Sequence, residues 1–542
     1  MKTSEAVADI LVREGIEVIF GYPRNAVLET AAARGIRTII VRQERTGLHM
    51  ADALSRLSRG QRMGVFAMQH GPGTENAYGA VAQAYSESVP VLVLPMGYAR
   101  HLAHVPGNYN ATVSMRDITK TCEPILRPQD TPAVMRRAFT ALRNGRLRPA
   151  LVEMPWDVLA EEFPGEVDYT PVVTTRTGPD PAAIAAFADR LVNTKRLVIH
   201  AGQGVHWAGA WAELHELAEL LAAPVSTSLE GKSAFNETHP LALGSGGAAI
   251  AGQLRHFLDH ADCIFAIGCS LAETAFGVKL PGNVPVIHST LDPADFNRGV
   301  PCEMALAGDA QITLAALIEA CRERIATPRD LAPVAEEIAR VEAAWLAEWL
   351  PLLENEDAPL SPYRVLWELQ RTVDIDNVII THDAGSPRDQ LTPYWKSTTP
   401  LSYIGWGKTT QLGYGLGLAM GAKYACPEKL CINVWGDAAI GFTGMDFETA
   451  VRERLPILSV LLNNSAMAIE LPVMPVATER FRATDISGDY AAFARALGGY
   501  GERVTEASDI AAAIRRGIAA TEAGQPALLE FITTQETRAS RL

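Results

Sequence analysis

The sequence lacks the features of membrane-bound and secreted proteins. No apolar run among its 542 residues approaches the length of a membrane-spanning helix. Its seven cysteines include no Cys-x-x-Cys pair, which is typical of reduced thiols in a cytosolic protein. Residues 1–20 resemble a charged amphipathic helix followed by a strand, so they do not read as a secretory signal. We therefore expect a cytoplasmic protein without a membrane partner.

Basic residues and low-complexity segments are also scarce. Lys and Arg number 48 against 62 Asp and Glu, which gives a net charge of −14 and a pI near 5.4. This excess of negative charge argues against nucleic acid as a partner. The composition, 48% hydrophobic and 20% charged, is that of a soluble globular protein. The length exceeds what one hydrophobic core supports and predicts about three domains.

The most informative segment is residues 429–470, KLCINVWGDAAIGFTGMDFETAVRERLPILSVLLNNSAMAIE. It predicts a buried strand, a helix, a second buried strand and a polar turn. Thr443 and Asp446 have the spacing of a capping box at the start of the helix, and Pro456 ends it. Because a βαβ unit has parallel strands, both strands end at the same edge of the sheet.

Two oxygen-bearing side chains follow these strands. Asp437 comes after the first strand and Asn464 after the second, so we expect them side by side where open α/β sheets bind ligands. Hard oxygen ligands suit Mg²⁺, which commonly shares its coordination shell with a diphosphate. An ordinary βαβ unit with a polar rim is the alternative.

The spacing Gly-Asp, about thirty residues, Asn-Asn resembles the thiamine diphosphate signature of the acetolactate synthase and pyruvate decarboxylase superfamily. The resemblance implies that Asp437, the side chain of Asn464 and the backbone carbonyl of Ala466 hold Mg²⁺. It also places Gly436, Ala438, Ala439 and Met467 in the cofactor site. Ala438 departs from the family, which usually has glycine there, and its methyl group could crowd a diphosphate oxygen.

The first domain resembles the pyrimidine-binding domain of the same superfamily. Residues 38–44 predict a strand that delivers Glu44, which the resemblance makes the catalytic glutamate hydrogen-bonded to the aminopyrimidine. The turn GPGTEN at 71–76 matches the family's SGPGxxN and assigns Gly73 and Asn76 to the cofactor site.

Asn25 and His104 are further candidates for substrate contact, whereas His70 is not. Asn25 follows the segment FGYP, where related decarboxylases have a substrate-facing residue, but it could equally cap the next helix. His104 matches the second histidine of a pair in pyruvate decarboxylases and is a candidate acid or base. His70 precedes the glycine turn, where a buried or turn histidine is the simpler reading.

The third domain supplies the remaining predicted contacts. Gly385 and Ser386 match a cofactor-contacting loop, and Leu412 falls where the family places a bulky residue beneath the cofactor. Glu470 lies six residues after Asn464, at the position of a carboxyl group that faces the reacting carbon in pyruvate decarboxylases. In an apolar pocket its pKa would be raised, which suits a proton donor. A surface glutamate is the alternative.

We predict three α/β domains with central, mostly parallel sheets, at residues 1–168, 181–325 and 361–533. The corresponding domain of acetolactate synthases binds FAD, and that of oxalyl-CoA decarboxylases binds ADP. The arginine that helps to hold FAD is absent from GCSLAETAFGVK, so neither nucleotide is supported and we expect mostly scaffold.

The resemblance covers essentially the whole chain and implies non-oxidative decarboxylation of a 2-oxo acid, with release of an aldehyde or ligation to a second carbonyl compound. It also implies a homodimer or homotetramer with the active site at a subunit interface. A second class, a 2-hydroxyacyl-CoA lyase or oxalyl-CoA decarboxylase, is favoured by the similarity of GDAAIGFTGMDFET. A non-catalytic thiamine diphosphate-binding or assembly protein is the third alternative.

Overall fold

The computed structural model describes residues 1–541 and contains three six-stranded sheets whose strand pairs are all parallel. Helices flank each sheet, which confirms the predicted three-domain α/β fold. Strands such as Cys263–Ile267 are apolar and buried along their whole length, as parallel sheets covered on both faces require. The domain limits given above remain predictions.

The first sheet is built by residues near the amino end of the chain. Its strands are β1 (Val18–Gly21), β2 (Arg37–Ile40), β3 (Gly64–Met68), β4 (Val91–Gly97), β5 (Thr121–Pro124) and β6 (Ala150–Pro155). The helices are α1 (Thr3–Arg13), α2 (Ala26–Ala32), α3 (Glu44–Leu57), α4 (Pro72–Ser86), α5 (Ala111–Ser114), α6 (Thr131–Arg143) and α7 (Trp156–Ala160). The spatial order is β2-β1-β3-β4-β6-β5.

The second sheet lies in the middle of the chain. Its strands are β7 (Leu197–Ala201), β8 (Val225–Ser228), β9 (Ala242–Gly246), β10 (Cys263–Ile267), β11 (Val286–Thr290) and β12 (Met304–Ala307). The helices are α8 (Pro181–Asn193), α9 (Gln203–Ala208), α10 (Trp211–Leu221), α11 (Gly252–Asp259) and α12 (Ala310–Arg322), followed by the long α13 (Ala332–Leu353). The order is β12-β11-β10-β7-β8-β9.

The third sheet completes the chain. Its strands are β13 (Val378–His382), β14 (Tyr403–Ile404), β15 (Leu430–Gly436), β16 (Leu458–Asn463), β17 (Tyr500–Val504) and β18 (Ala527–Ile532). The helices are α14 (Pro362–Thr372), α15 (Ser386–Leu391), α16 (Tyr414–Ala425), α17 (Asp437–Thr443), α18 (Phe447–Arg452), α19 (Pro475–Phe481), α20 (Tyr490–Ala496) and α21 (Ile510–Glu522). The order is β14-β13-β15-β16-β18-β17.

Each sheet has a point where the strand order reverses, and ligands bind at such points in open parallel sheets. In the third sheet the reversal lies between β13 and β15, in the first between β1 and β3, and in the second between β7 and β10. Gly385 lies in the turn after β13. Gly436 is the last residue of β15, and Asp437 follows it directly. The topology therefore delivers them to one crevice.

The first and third sheets share one hydrophobic core, formed where α3 packs against α16. Two glycines of α16 make this approach possible. A Cβ at Gly421 would lie 2.5 Å from the carbonyl oxygen of Met50, and one at Gly417 would lie 2.5 Å from the Cβ of His49. The helix that begins at Glu44 is thus fixed to the helix that follows the Leu412 segment.

The predicted capping box at Thr443 and Asp446 is wrong. The helix begins at Asp437 and ends at Thr443, whose hydroxyl donates to the carbonyl oxygen of Gly413 at 2.8 Å. The Asp446 carboxylate instead binds backbone N–H groups of the first sheet's domain. Among residues 1–541, no helix combines the length and apolar character needed to cross a membrane.

Candidate active site

Asp437 is the first residue of α17 and its side chain is only 4% exposed. One carboxylate oxygen, Oδ1, accepts the backbone N–H of Ala438 at 2.9 Å. The other, Oδ2, is buried without a hydrogen-bond partner among the described residues. Burial raises the pKa of Asp437 from 3.8 to about 6, although the backbone N–H groups of Ser465, Ala438 and Ala466 partly oppose this rise. The carboxylate is therefore short of positive charge.

Asn464 immediately follows β16, the strand next to β15 in the third sheet. Its Oδ1 accepts the backbone N–H of Ala466 at 3.0 Å, and Ser465 between them has φ of +58°. The N–H groups of Ser465 and Ala466 donate to the side chains of Asn463 and Asn464, but they lie near enough to the Asp437 carboxylate to oppose the rise in its pKa. The preceding Asn463 is buried and donates to Glu530 at 2.7 Å, so the two asparagines have different environments.

Ala438, the departure from the family pattern, fits its place in the backbone. It lies inside α17 and is absent from the residues with positive φ. A right-handed helical conformation imposes no penalty on a methyl group, so glycine is not required there. Ala439 beside it is 1% exposed and packs in the core shared by the first and third sheets.

The glycine turn after β13 faces the same crevice. Gly385 has φ of +89°, which L side chains rarely adopt, and it precedes the half-buried Ser386 at the start of α15. The nearest atom to a Cβ built at Gly385 is Ile469 Cδ1, at 3.8 Å. The turn thus lies against the 464–470 segment.

Asp383, which the sequence reasoning missed, holds this turn in place. Its fully buried carboxylate accepts the backbone N–H groups of Ala384 at 2.8 Å, Gly413 at 2.9 Å and Gly415 at 3.0 Å. Burial raises its pKa to about 6. In the sequence, Asp383 is recognisable only as a carboxyl group between a strand and a glycine turn. Its role could not be predicted, because Gly413, which donates to it, lies 30 positions away.

Leu412 is half-buried against the core shared by α3 and α16. The following Gly413 has φ of +85°, and a Cβ there would lie 2.8 Å from that of Phe442. The preceding Gln411 contacts His49 of α3, with Oε1 to Nε2 at 3.0 Å. The segment is therefore fixed from both domains.

Glu44 begins α3 and is 3% exposed. Burial raises its pKa, and the nearby charge of Asp446 raises it further, whereas its own backbone N–H, the side chain of Asn76 and Arg45 lower it. Burial thus favours the protonated form of Glu44, the form that can donate a hydrogen bond. Glu44 and Asn76 are thus brought together, as the resemblance implies.

The glycine turn before α4 carries the other first-domain candidates. Gly73 is buried, and a Cβ there would lie 3.1 Å from Cγ of Gln69. His70 packs edge-on against Tyr98, with ring centroids 4.5 Å apart, and its Nδ1 is buried without a partner among the described residues. Burial lowers the pKa of His70, and the nearby charge of Arg24 lowers it further.

Asn25 has the helix-capping role rather than a free substrate-facing amide. Its Oδ1 accepts the N–H of Val27 at 3.0 Å, and its Nδ2 donates to the carbonyl oxygens of Met68 and Leu94 at 2.9 Å each. Both donors and one acceptor position are therefore engaged in the fold. We omit Asn25 from the catalytic set proposed below.

His104 and Glu470 are exposed in the single chain. His104 lies in a turn region before Gly107, and Glu470 lies in a turn after Ala466. Within the described residues, the Glu470 carboxylate has no hydrogen-bond donor or ion-pair partner. The single chain does not form the apolar pocket expected around Glu470.

Exposed apolar side chains surround this part of the crevice. Phe442 and Met445 follow Asp437 on one side, while Met467, Ile469 and Met474 flank Glu470 on the other, each about 40% exposed. We call these five residues the apolar rim. Clusters of exposed apolar residues of this kind mark surfaces that another molecule covers.

The second sheet bounds a large cavity that the sequence reasoning described only as scaffold. The cavity has a volume of about 1200 Å³ and lies at the reversal point between β7 and β10. Gly202 and Gly204 line or border it, and a Cβ on either would lie within 2.8 Å of residues 268–269. The two glycine turns therefore pack closely against each other at the edge of the cavity.

Three segments of the sequence match models of known protein families. Residues 1–120 match the N-terminal thiamine pyrophosphate-binding domain, 184–317 the central domain and 383–531 the C-terminal thiamine pyrophosphate-binding domain of thiamine pyrophosphate enzymes. The chain belongs to the thiamine diphosphate-dependent enzymes.

Relatives of the enzyme align over most of their own lengths. A probable acetolactate synthase large subunit of Methanocaldococcus jannaschii is 30% identical over 86% of this chain and 81% of that protein. The acetolactate synthase isozyme 3 large subunit of Escherichia coli is 30% identical over 85% and 82%. A probable 2-ketoarginine decarboxylase of Pseudomonas aeruginosa is 30% identical over 92% and 88%.

The site residues fit the cofactor of this family. The buried, unpartnered Oδ2 of Asp437 suits a cation, and Gly385 brings backbone without a side chain to the same crevice. Glu44, buried with a raised pKa, suits a neutral hydrogen-bond donor. These features come from two different sheets.

Proposed function

We propose that the enzyme uses thiamine diphosphate and Mg²⁺ to decarboxylate a 2-oxo acid without oxidation and to join the product to a second carbonyl compound, as acetolactate synthases do. The single observation that carries this proposal is the buried Asp437 carboxylate, with one oxygen unpartnered, beside the 464–466 turn. The relatives named acetolactate synthase support the reaction class.

Asp437, Asn464 and the backbone carbonyl of Ala466 are the proposed Mg²⁺ ligands. All three offer oxygen, the donor that Mg²⁺ prefers, and the metal would compensate the desolvated carboxylate. Gly436, Ala438, Ala439, Met467, Gly385 and Ser386 border the proposed diphosphate position. Asp383 acts on the same position indirectly, because it fixes the turn that carries Gly385.

Glu44 is the proposed activating acid. When bound, thiamine diphosphate would supply a nucleophilic carbon for the carbonyl of the 2-oxo acid and a cationic ring able to take up the electron pair released with CO₂. Glu44 holds a proton at its carboxyl group opposite the aminopyrimidine, which is why its burial and raised pKa matter. Gly73 and Asn76 border the same end, and Leu412 supports the cofactor from below.

We propose a homodimer or homotetramer in which a second copy covers the apolar rim. The rim leaves large apolar side chains exposed beside the diphosphate position, and Glu470 stands among them. A second copy would enclose Glu470 in apolar surroundings, as a proton donor requires. In this arrangement Glu44 and Asp437 of one chain serve different sites.

Simple decarboxylation with release of an aldehyde is a second candidate. Glu470 favours it, because its carboxyl group has no competing partner in the described chain and could protonate the reacting carbon. The relative named 2-ketoarginine decarboxylase also favours this outcome. In this case His104 is a further candidate proton donor.

A substrate panel distinguishes these candidates. The purified enzyme with thiamine diphosphate and Mg²⁺ should be incubated with 2-oxo acids, alone, with aldehyde or 2-oxo acid acceptors, and with formyl-CoA plus an aldehyde. Ligated product from two 2-oxo acids supports the proposal, whereas aldehyde alone supports the second candidate. Product only from acyl-CoA substrates would replace both with a lyase.

A further inference from the structure

Three metal-ligating side chains meet at the surface of the middle domain, outside the candidate active site. His215 and Glu219 belong to α10, and His239 lies in the loop between β8 and β9. Each offers one ligand atom, and these three atoms all lie within 4.8 Å of one another. We call His215, Glu219 and His239 the histidine cluster.

The helix places two of the three side chains together. His215 and Glu219 are four positions apart in α10, so they lie on one face of the helix. Leu214, Leu217 and Leu221 are buried and anchor the helix in the core of the middle domain. His215 and Glu219 therefore remain at the surface of a helix whose position is fixed.

The loop fixes the third side chain through its backbone. The N–H of His239 donates to the carbonyl oxygen of Asn236 at 3.1 Å, and its own carbonyl oxygen accepts the N–H of Ala242 at 2.9 Å. Oδ1 of Asn236 also accepts the N–H of Thr238 at 2.9 Å. The backbone of His239 is thus held on both sides.

Phe235 supports both imidazole rings. Its side chain is buried and stacks on His215, with ring centroids 5.6 Å apart and 29° between the planes. It meets His239 edge-on at 5.1 Å, and the two imidazole centroids are 4.6 Å apart. Rings supported in this way lose less conformational freedom when they bind a common ligand.

The separations within the cluster suit a single zinc ion. One carboxylate oxygen of Glu219 lies 3.5 Å from Nδ1 of His215, and the other lies 3.5 Å from Nε2 of His239. Bonds of about 2.0–2.1 Å place neighbouring ligands of a tetrahedral Zn²⁺ roughly 3.3–3.4 Å apart. Side-chain rotations that bring the two imidazole nitrogens closer would complete the arrangement.

The donor atoms favour zinc over magnesium. Imidazole nitrogen suits Zn²⁺, whereas Mg²⁺ prefers six oxygen ligands. The proposed Mg²⁺ site at Asp437 offers only oxygen atoms, so the two sites prefer different ions. The side chains of His215 and Glu219 are 42% and 47% exposed, so water can supply the fourth ligand.

One hydrogen bond opposes coordination by His239. Nδ1 of His239 accepts the N–H of Leu241 at 3.2 Å, which places the ring proton on Nε2. A metal at Nε2 requires that proton to move to Nδ1, and the bond from Leu241 is then lost. The loss of one neutral hydrogen bond is small beside the free energy of zinc coordination. Burial and the nearby charge of His215 lower the pKa of His239, which favours the neutral, ligating form, although Glu219 opposes them.

The cluster adjoins a contact between the middle and third domains. Glu237, two residues before His239, is buried and pairs with the ammonium group of Lys232 at 2.6 Å. The same carboxylate accepts the N–H of Ser397, and Lys232 donates to the carbonyl oxygen of Trp395. An ion held by His239 would therefore stabilise the segment that makes this contact.

We propose that His215, Glu219 and His239 bind one Zn²⁺ ion per chain, which links α10 to the 236–240 loop. The ion has a structural role. The site is independent of the proposed reaction, and none of its three residues lines the cavity beside the second sheet.

Calorimetric titration with ZnCl₂ tests the proposal. The full-length enzyme is treated with a chelator, saturated with thiamine diphosphate and Mg²⁺, and freed of excess cofactor, so that the catalytic site is occupied. We expect saturable binding of one Zn²⁺ per chain that excess Mg²⁺ does not prevent. Absence of saturable binding by the wild-type enzyme would overturn the proposal.

Variants locate the ion. Glu219→Gln and His215→Gln change exposed positions of α10, so both should fold, and each should weaken Zn²⁺ binding roughly tenfold or more. His260→Gln is the control, because His260 is an exposed histidine of the same domain whose Nδ1 contacts the carbonyl oxygen of His256. The control should bind Zn²⁺ as the wild type does.

Two results would contradict the location. Unchanged affinity in both Glu219→Gln and His215→Gln would overturn the proposal. Loss of binding in His260→Gln, with binding retained in the α10 variants, would place the ion at α11 and would also overturn it. Thiamine diphosphate affinity, measured on every variant, reports whether the fold and the catalytic site are intact.

Thermal unfolding tests the structural role. A ligand that binds only the folded state raises the unfolding temperature. Zn²⁺ should therefore raise the Tm of the wild type and of His260→Gln, but not that of Glu219→Gln. A wild-type Tm that Zn²⁺ leaves unchanged would overturn the structural role.

Discussion

The carboxylate of Asp446 accepts the backbone N–H of Arg42 at 2.7 Å, although the two residues are 404 positions apart. Its second oxygen accepts the N–H of Gln43 at 3.2 Å. A side chain of the third domain thus fixes the two residues that precede Glu44 in the first. The negative charge of Asp446 also helps to raise the pKa of Glu44, after burial.

Asp446→Asn should lower the pKa of Glu44, because it removes a neighbouring negative charge and keeps the side-chain shape. Glu44 would then lose its proton at a lower pH. The pH above which kcat/KM declines should therefore be lower in the variant. The pH profile of the variant checks this expectation. An unchanged profile, or one displaced to higher pH, would contradict the assigned role of Glu44.

Much of the fold could be predicted because it depends on local patterns. The strands at residues 430–436 and 458–463, and the arrival of Asp437 and Asn464 at one edge, follow from apolar runs and the parallel βαβ rule. The role of Asp446 could not be predicted in this way. Its spacing to Thr443 fitted a local cap, whereas its actual partners lie in another domain.

Glu44→Gln should separate cofactor binding from activation. The variant should retain thiamine diphosphate affinity, since most of that affinity comes from the diphosphate, but it cannot supply the carboxyl proton. Exchange of the cofactor C2 proton, measured by NMR, should slow by orders of magnitude. Exchange at the wild-type rate would place the catalytic carboxyl group elsewhere.

Glu470→Gln and Glu470→Leu should change the product ratio. If Glu470 protonates the reacting carbon, aldehyde formation should fall by roughly tenfold or more, while ligation to an acceptor need not slow. Product analysis by chromatography, with and without an acceptor, gives the ratio. A ratio that does not move would leave Glu470 outside the pocket and His104 as the remaining candidate donor.

Asp383→Ala should destabilise the glycine turn beside the proposed diphosphate position. The change leaves three backbone N–H groups without their acceptor, and each such loss costs about 1–3 kcal/mol. We expect a lower unfolding temperature and weaker thiamine diphosphate binding. Asp117→Asn, at an exposed carboxylate, is the control and should change neither.

Several site features depend on tertiary packing that no local pattern records. Whether Asn25 faced substrate or capped a helix was undecidable from sequence, because the acceptors Met68 and Leu94 come from neighbouring strands. The cavity between β7 and β10 is lined by glycine turns from separate loops.

The apo enzyme should become less stable as pH rises through the pKa of Asp437. Its folded pKa of about 6 exceeds the ordinary value of 3.8, so the folded state binds the proton more tightly. Stability linked to this group is therefore present below about pH 4 and lost as pH rises to and beyond 6. Asp437→Asn should remove this dependence and raise apo stability at pH 7.5 by about 3 kcal/mol.

Calorimetric titration of thiamine diphosphate into the apo enzyme at saturating Mg²⁺ tests the central claim most directly. The account predicts that wild-type enzyme binds the cofactor and that Asp437→Asn, although folded and no less stable at pH 7.5, loses at least a hundredfold in affinity. Unchanged affinity in Asp437→Asn would contradict the assignment of Asp437 to the Mg²⁺ site.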